Sequence, residues 1–137
     1  MSIDAVFSAT RYGITFERLR LEAASHNIAV ANTPTEPGQP VRLMHVAAGF
    51  GAQLGAGEAH ANVAGPVMLG SEAPTREVHD PSDPSADGKG MVSYPKVDMV
   101  SEMSALVEAN RAYEANVRAF NALRGMELRA LELGGEA

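Results

Sequence analysis

DMVSEMSALVEANRAYEANVRAFNALRGMELRALEL, residues 98–133, is the stretch from which the fold is read. From Met99, the residues Met103, Leu106, Asn110, Tyr113, Val117 and Phe120 follow at alternating steps of four and three, which keeps side chains on one seam of a helix. No proline interrupts the run, and its Ala, Leu, Met, Glu and Arg lose little conformational freedom in a helix. Asp98 is placed to cap the first turn by accepting from free backbone N–H groups. Gly125 weakens the far end, and Gly134-Gly135 predict the stop. At 1.5 Å per residue such a helix is roughly 50 Å long. A chain of 137 residues is too small to cover it, so part of the seam asks for a partner.

The flanks predict a solvated surface. Glu114 and Arg118 are four apart, and Glu108 with Arg111 and Arg129 with Glu132 three apart, so opposite charges become neighbours. Asn110, Asn116 and Asn121 lie on or beside the seam, where a buried amide needs a hydrogen bond and so fixes register between helices.

Ile3 to Ala31 predicts a second helix. Phe7, Ile14, Leu21 and Ile28 recur every seven residues, with Ile3, Ala24 and Ala31 between them and Thr10 and Glu17 as interruptions. Gly13 costs this helix about 1 kcal/mol against Ala. Ala23, Ala24, Ser25, Ala29 and Ala31 are small enough for another helix to come close. Pro34 pushes the residue before it out of helical geometry, so the helix ends at Asn32-Thr33.

All eight prolines and nine of the thirteen glycines lie between the two helices. That middle is therefore an irregular insert. Val41 to Ala47, Val63 to Leu69 and Met91 to Tyr94 predict short strands, with Pro66 confining the second to an edge or dividing it. The expected architecture is mainly α with a small β-containing insert. A helix over 1–32, an insert over 33–97 and a long helix over 98–137 form one structural domain, the two helices paired as an antiparallel coiled coil.

Composition excludes several functions. With a net charge of −6 and no basic run, attraction to nucleic acid or an anionic membrane is not expected. There is no cysteine, hence no disulfide, thiolate metal site or thiol nucleophile. The first ten residues contain Asp4 and no Lys or Arg, and no apolar run reaches the length of a signal core or a membrane span, so no cleaved signal is expected. Gly49-x-Gly51-x-x-x-Gly55 lacks the helix and βαβ unit that a dinucleotide loop needs. Asp83-x-Ser85-x-Asp87-Gly88 opens like a calcium loop, but Tyr94 stands where the closing glutamate belongs, so a chain of turns at Asp80-Pro81 and Asp83-Pro84 is expected. His26, His45, His60 and His79 have no ligand spacing. No catalytic residue, cofactor or metal is expected, and the chain reads as a non-enzyme.

Three blocks carry a family resemblance. Ala23-Ala24-Ser25-His26-Asn27-Ile28-Ala29-Val30-Ala31-Asn32-Thr33-Pro34 resembles the N-terminal signature of flagellar basal-body rod and hook proteins, with Val30 where asparagine is usual and Thr35-Glu36 where Gly-Tyr is usual. The stretch from Val78 to Met103 is similar to proximal rod proteins of the FlgC type at Asp80-Pro81, Pro84, Ala86-Asp87, Lys89-Gly90, Val92, Pro95, Val97-Asp98-Met99-Val100 and Glu102-Met103. Glu108 to Val117, Asn121, Met126 and Leu131 to Gly134 continue the likeness, while Val41, His79 and Met91 replace tyrosines common in that branch.

The resemblance implies a structural subunit, exported by the flagellar type III apparatus without a cleaved signal. It further implies polymerisation into the periplasm-spanning rod, contacts with other rod proteins and the export gate or base, and terminal regions that become paired helices on assembly. The expected assembly contacts are the seam residues Ile14, Leu21, Ile28, Leu106, Tyr113, Val117 and Phe120, with Asn27, Asn32, Asn110 and Asn116 setting register. A soluble helical adaptor or export chaperone is the alternative class, and a small cation-binding enzyme using Asp83 and Asp87 a third.

Overall fold

Helix α1 (Ile3–Val30) stops where the sequence demands, its end tightened by Thr33 N–H donating to the Val30 carbonyl at 3.0 Å. Helix α2 (Met99–Gly135) begins at an N-cap: Asp98 Oδ1 accepts from the N–H groups of Val100 at 3.1 Å and Ser101 at 3.2 Å. It runs through Gly134 to Gly135, further than the glycine pair predicted. These helices belong to a computed structural model that describes residues 3–36, 39–47 and 65–135.

The helices pack closely and antiparallel. Phe7 meets Phe120 edge to face with ring centres 5.4 Å apart, Arg20 lies 3.8 Å from Glu108, and Asn27 donates to Glu102 at 3.2 Å. Rising numbers on α1 thus meet falling numbers on α2. Ala23, Ala24, Ala31 and Ala109 are buried, so the contact is built from small side chains.

This placement corrects the expected seam of α2. Leu106, Tyr113, Val117 and Phe120 are half-buried as a seam requires, but Met103 and Asn110 are exposed, and Ala109 is fully buried. The contact line also takes in Glu102 and Asn116, which hydropathy does not mark. Its cause lies on α1: a Cβ added to Gly13 would stand 2.9 Å from Asn116 Nδ2, so the glycine gives room for the amide.

The two interruptions of the α1 seam are absorbed locally. Thr10 returns its hydroxyl to the Val6 carbonyl at 2.8 Å, and buried Glu17 pairs with Arg20 at 3.0 Å. Arg20 also lies 3.8 Å from the exposed carboxylate of Glu108.

Among the described residues, the insert contributes two separate antiparallel ribbons. Strand β1 (Arg42–Ala47) pairs with β2 (Val67–Glu72), Arg42 opposite Glu72, while β3 (Thr75–His79) pairs with β4 (Met91–Pro95), His79 opposite Met91. The second strand was expected over Val63 to Leu69. It starts instead after Pro66, whose missing N–H keeps it outside the ladder, and residues 63 and 64 lie outside the described residues. Strand β3 was not anticipated at all. Thr35 N–H donates to the Ser93 carbonyl at 2.7 Å and Lys96 N–H to the Pro74 carbonyl at 2.6 Å, tying β4 to both flanking segments.

Candidate assembly surface

The outer sides of the two helices differ in chemistry. On α1 the exposed positions Asp4, Ser8, Arg11, Thr15, Arg18, Glu22, Ser25 and Ala29 recur at steps of three and four and form a polar, small-residue stripe. On α2 the first turns expose Val100, Met103 and Val107, the last of them 49% accessible. With Ser104 and Glu108 these side chains line an open groove of about 430 Å3. The far end of α2 exposes Leu128, Leu131 and Leu133, at 52%, 66% and 77%. Exposed apolar side chains thus gather near both ends of α2.

The expected contact residues divide by position. Ile14, Leu21, Ile28, Leu106, Tyr113, Val117 and Phe120 are half-buried in the helical layer, so each has surface left over after intrasubunit packing. Asn32 and Asn110 are exposed, and Asn116 is half-buried against Gly13. Asn27 is buried at 4% exposure. Its Oδ1 accepts from Met44 N–H at 2.7 Å, and its Nδ2 donates to the Met44 carbonyl at 2.9 Å and to Glu102 Oε1 at 3.2 Å. The amide is therefore used inside the subunit, between α1, β1 and α2. Sequence reasoning missed Val100, Val107 and Leu128 because they fall off the seam that the heptad steps pick out. An apolar position outside the main stripe was the available signal.

At the other end of the pair, Phe7 and Phe120 floor a groove of about 460 Å3 rimmed by Asp4, Ser8, Arg11, Arg124 and Glu127. Both signs of charge stand on its rim, so it selects no ion by net charge. Glu114 and Arg118 pair at 3.1 Å on the exposed flank, as their spacing predicted.

The β3–β4 turn spends its carboxylates on backbone. Asp80 Oδ1 accepts from the Ser82 hydroxyl at 2.6 Å and from Ser82 N–H at 3.1 Å, Asp83 Oδ1 from Ser85 N–H at 2.7 Å, and Asp87 Oδ1 from Lys89 and Met91 N–H, both at 2.8 Å. Bonds from Ser82 hold Asp80 below its ordinary pKa, and those from Met91 and Lys89 do the same for Asp87. Desolvation and the Asp83 carboxylate, 3.4 Å from its hydroxyl, raise Tyr94. The turns expected in place of a calcium loop are present. Among the described residues, no three His, Asp or Glu side chains gather in a metal-holding group. His26 Nε2 donates to the Arg42 carbonyl at 3.1 Å, and His45 and His79 are exposed. The glycine loop from Gly49 to Gly55 and His60 lie outside the described residues. No described helix is long and apolar enough to cross a membrane.

Comparison with known proteins gives this surface its context. Residues 89–133 match the family model described as Flagellar basal body rod FlgEFG protein C-terminal. The flagellar basal-body rod protein FlgC of Escherichia coli O6:H1 is 37% identical over 135 residues, covering 98% of this chain and 99% of the relative. FlgC of Salmonella typhimurium is 34% identical with the same coverage, and that of Bacillus subtilis 33% identical over 88% of this chain and 91% of its own length. Identity of this extent over nearly the whole chain, joined to a long helical pair with apolar side chains left uncovered, settles the relationship: the chain belongs to the FlgC-type family of flagellar basal-body rod proteins.

Proposed function

We propose that this protein is a structural subunit of the proximal flagellar rod that polymerises through its terminal helices into a helical tube and transmits torque. Regions 1–32 and 98–133 act as one structural domain, an antiparallel coiled coil decorated by the insert. The observation that carries the reading is the uncovered apolar surface of α2, at Val100, Met103 and Val107 near one end and Leu128, Leu131 and Leu133 near the other. A contact between two different surfaces of identical or related subunits, where its rotation does not close into a ring, propagates as a helical array.

Ile14, Leu21, Ile28, Leu106, Tyr113, Val117 and Phe120 supply the remaining apolar contact, and the exposed amides of Asn32 and Asn110 set register, with Asn116 and Asn27 fixing it within the subunit. Neighbours in the wall are copies of this chain and other rod proteins, with the export gate or base at the proximal end. The subunit reaches the periplasm through the flagellar export apparatus. Ordering the helices against neighbours costs conformational entropy, so the free subunit stays soluble with its ends less helical than in the wall.

Val107→Asp and Leu131→Asp test the reading, because both positions are exposed and neither charge disturbs the intrasubunit contact. In a strain lacking the native copy, each variant is expected to be exported yet absent from isolated basal bodies, and the cells to be non-motile. Normal rod incorporation of both variants would overturn the proposal.

A further inference from the structure

Ribbon β1–β2 stands on α1, and among the described residues its hydrogen-bonded link to α2 passes through the Asn27 side chain. Two α1 residues grip β1: His26 donates to the Arg42 carbonyl at 3.1 Å, and Asn27 takes both backbone groups of Met44, accepting from its N–H at 2.7 Å and donating to its carbonyl at 2.9 Å. The two grips differ in one respect. His26 reaches β1 at an exposed bond, whereas Asn27 is buried and gives its second amide hydrogen to Glu102 of α2 at 3.2 Å.

An amide has two donors and one acceptor oxygen, and here each has a distinct partner. Met44 N–H fixes which end is oxygen, and the carboxylate, an acceptor only, holds the nitrogen end in place. Ala105 of α2 lies beside this site, lining with Phe16, Ala23, Met44 and Glu102 a cleft of about 210 Å3. With α2 absent, the amide loses a charge-assisted partner and the cleft opens to water. We infer that Asn27 and Glu102 form a conditional latch: the β1–β2 ribbon locks onto α1 only when α2 is paired with α1.

Such a latch orders events within one chain, helix pairing first and ribbon docking second. Its use in assembly, where a locked ribbon would present one fixed outline to neighbours, rests on the function proposed above. The latch itself does not.

The test uses the full chain with Gly13→Cys and Asn116→Cys, positions in direct contact across the helices, in a protein that has no other cysteine. Oxidation then holds α1 and α2 together. Hydrogen exchange of the Met44 amide, followed by NMR, reads the latch. In the oxidised parent, Met44 is expected to be protected. Glu102→Ala should lower that protection by at least about tenfold, the loss of one hydrogen bond to a charged group. Glu102→Gln keeps an acceptor oxygen and should retain most of it, and Asn27→Ala should abolish it. Equal protection in the oxidised parent and in its Glu102→Ala form would overturn the latch, as would an unprotected Met44 in the oxidised parent. If reduced and oxidised parents protect Met44 alike while Glu102→Ala still weakens both, the latch stands. The proposed loosening of the free subunit's helices then falls.

Discussion

Gly13 is a residue at which helix propensity and packing oppose each other. Replacing glycine by alanine inside a helix ordinarily stabilises by about 1 kcal/mol. At Gly13 the added Cβ would lie 2.9 Å from Asn116 Nδ2 and 3.1 Å from both its Cγ and Oδ1. Ordinary carbon contacts begin at about 3.5 Å, so the amide must withdraw by roughly half an ångström. Asn116 is half-buried and its amide is the far end of a flexible side chain, so the shift costs about 1 kcal/mol, the low end of overpacking. Gly13→Ala should therefore be roughly neutral, its propensity gain cancelled. In an Asn116→Ala background the obstructing atoms are gone, and the same change should stabilise by about 1 kcal/mol. The coupling between the two sites is then about 1 kcal/mol, within the range found for residues in contact. Urea unfolding of the four proteins, followed by far-ultraviolet circular dichroism, measures it. If Gly13→Ala stabilises equally in both backgrounds, the helices do not approach at this point and the antiparallel register is wrong.

Ala109→Leu places three further carbons at a position with no exposure, so it should cost about 1–3 kcal/mol in urea unfolding although leucine is nearly as good a helix former. Gly90 holds φ at 74° with Pro81 Cγ 3.1 Å from where a Cβ would stand, so Gly90→Ala should cost about 1–2 kcal/mol, read as lost amide protection across β3–β4. Folding lowers the pKa of Asp80 and Asp87 below 3.8, so their contribution is present above that value and disappears as pH falls through the folded pKa. Protection at the Ser82 and Met91 amides, the donors to these carboxylates, measured against the intrinsic exchange rate at each pH, should accordingly fall in acid below about pH 4 while that of the α1–α2 amides changes less.

The parts of the fold that were legible are those whose local chemistry agrees with their tertiary place. Asp98 predicts a cap and is one, and Thr33-Pro34 predicts an end and supplies it. Strands β1 and β4 carry enough Val, Met, Leu and Tyr to declare themselves. β3 does not, because Thr75–His79 is exposed along its whole length and has no buried face for alternation to report. Its pairing comes from β4, whose Val92 and Pro95 are buried, so the information that makes β3 a strand lies in its partner.

The same reasoning explains why the α2 seam was displaced. Heptad steps weigh large apolar side chains, and by that measure Met103 and the Asn110 position complete the line through Leu106 and Tyr113. A close helix pair weighs side chains differently: where Gly13, Ala23 and Ala24 lower the ridge of one helix, the other advances with its smallest and most polar residues, here Glu102, Ala109 and Asn116. Large apolar residues one step around the helix are then left facing outward, as Met103 and Val107 are. The same small residues on α1 that draw the helices together are thus what expose the surface that the proposed assembly would use. Enlarging them should loosen the pair, so that on the proposed function intrasubunit stability and assembly fail together in such variants, whereas Val107→Asp separates them.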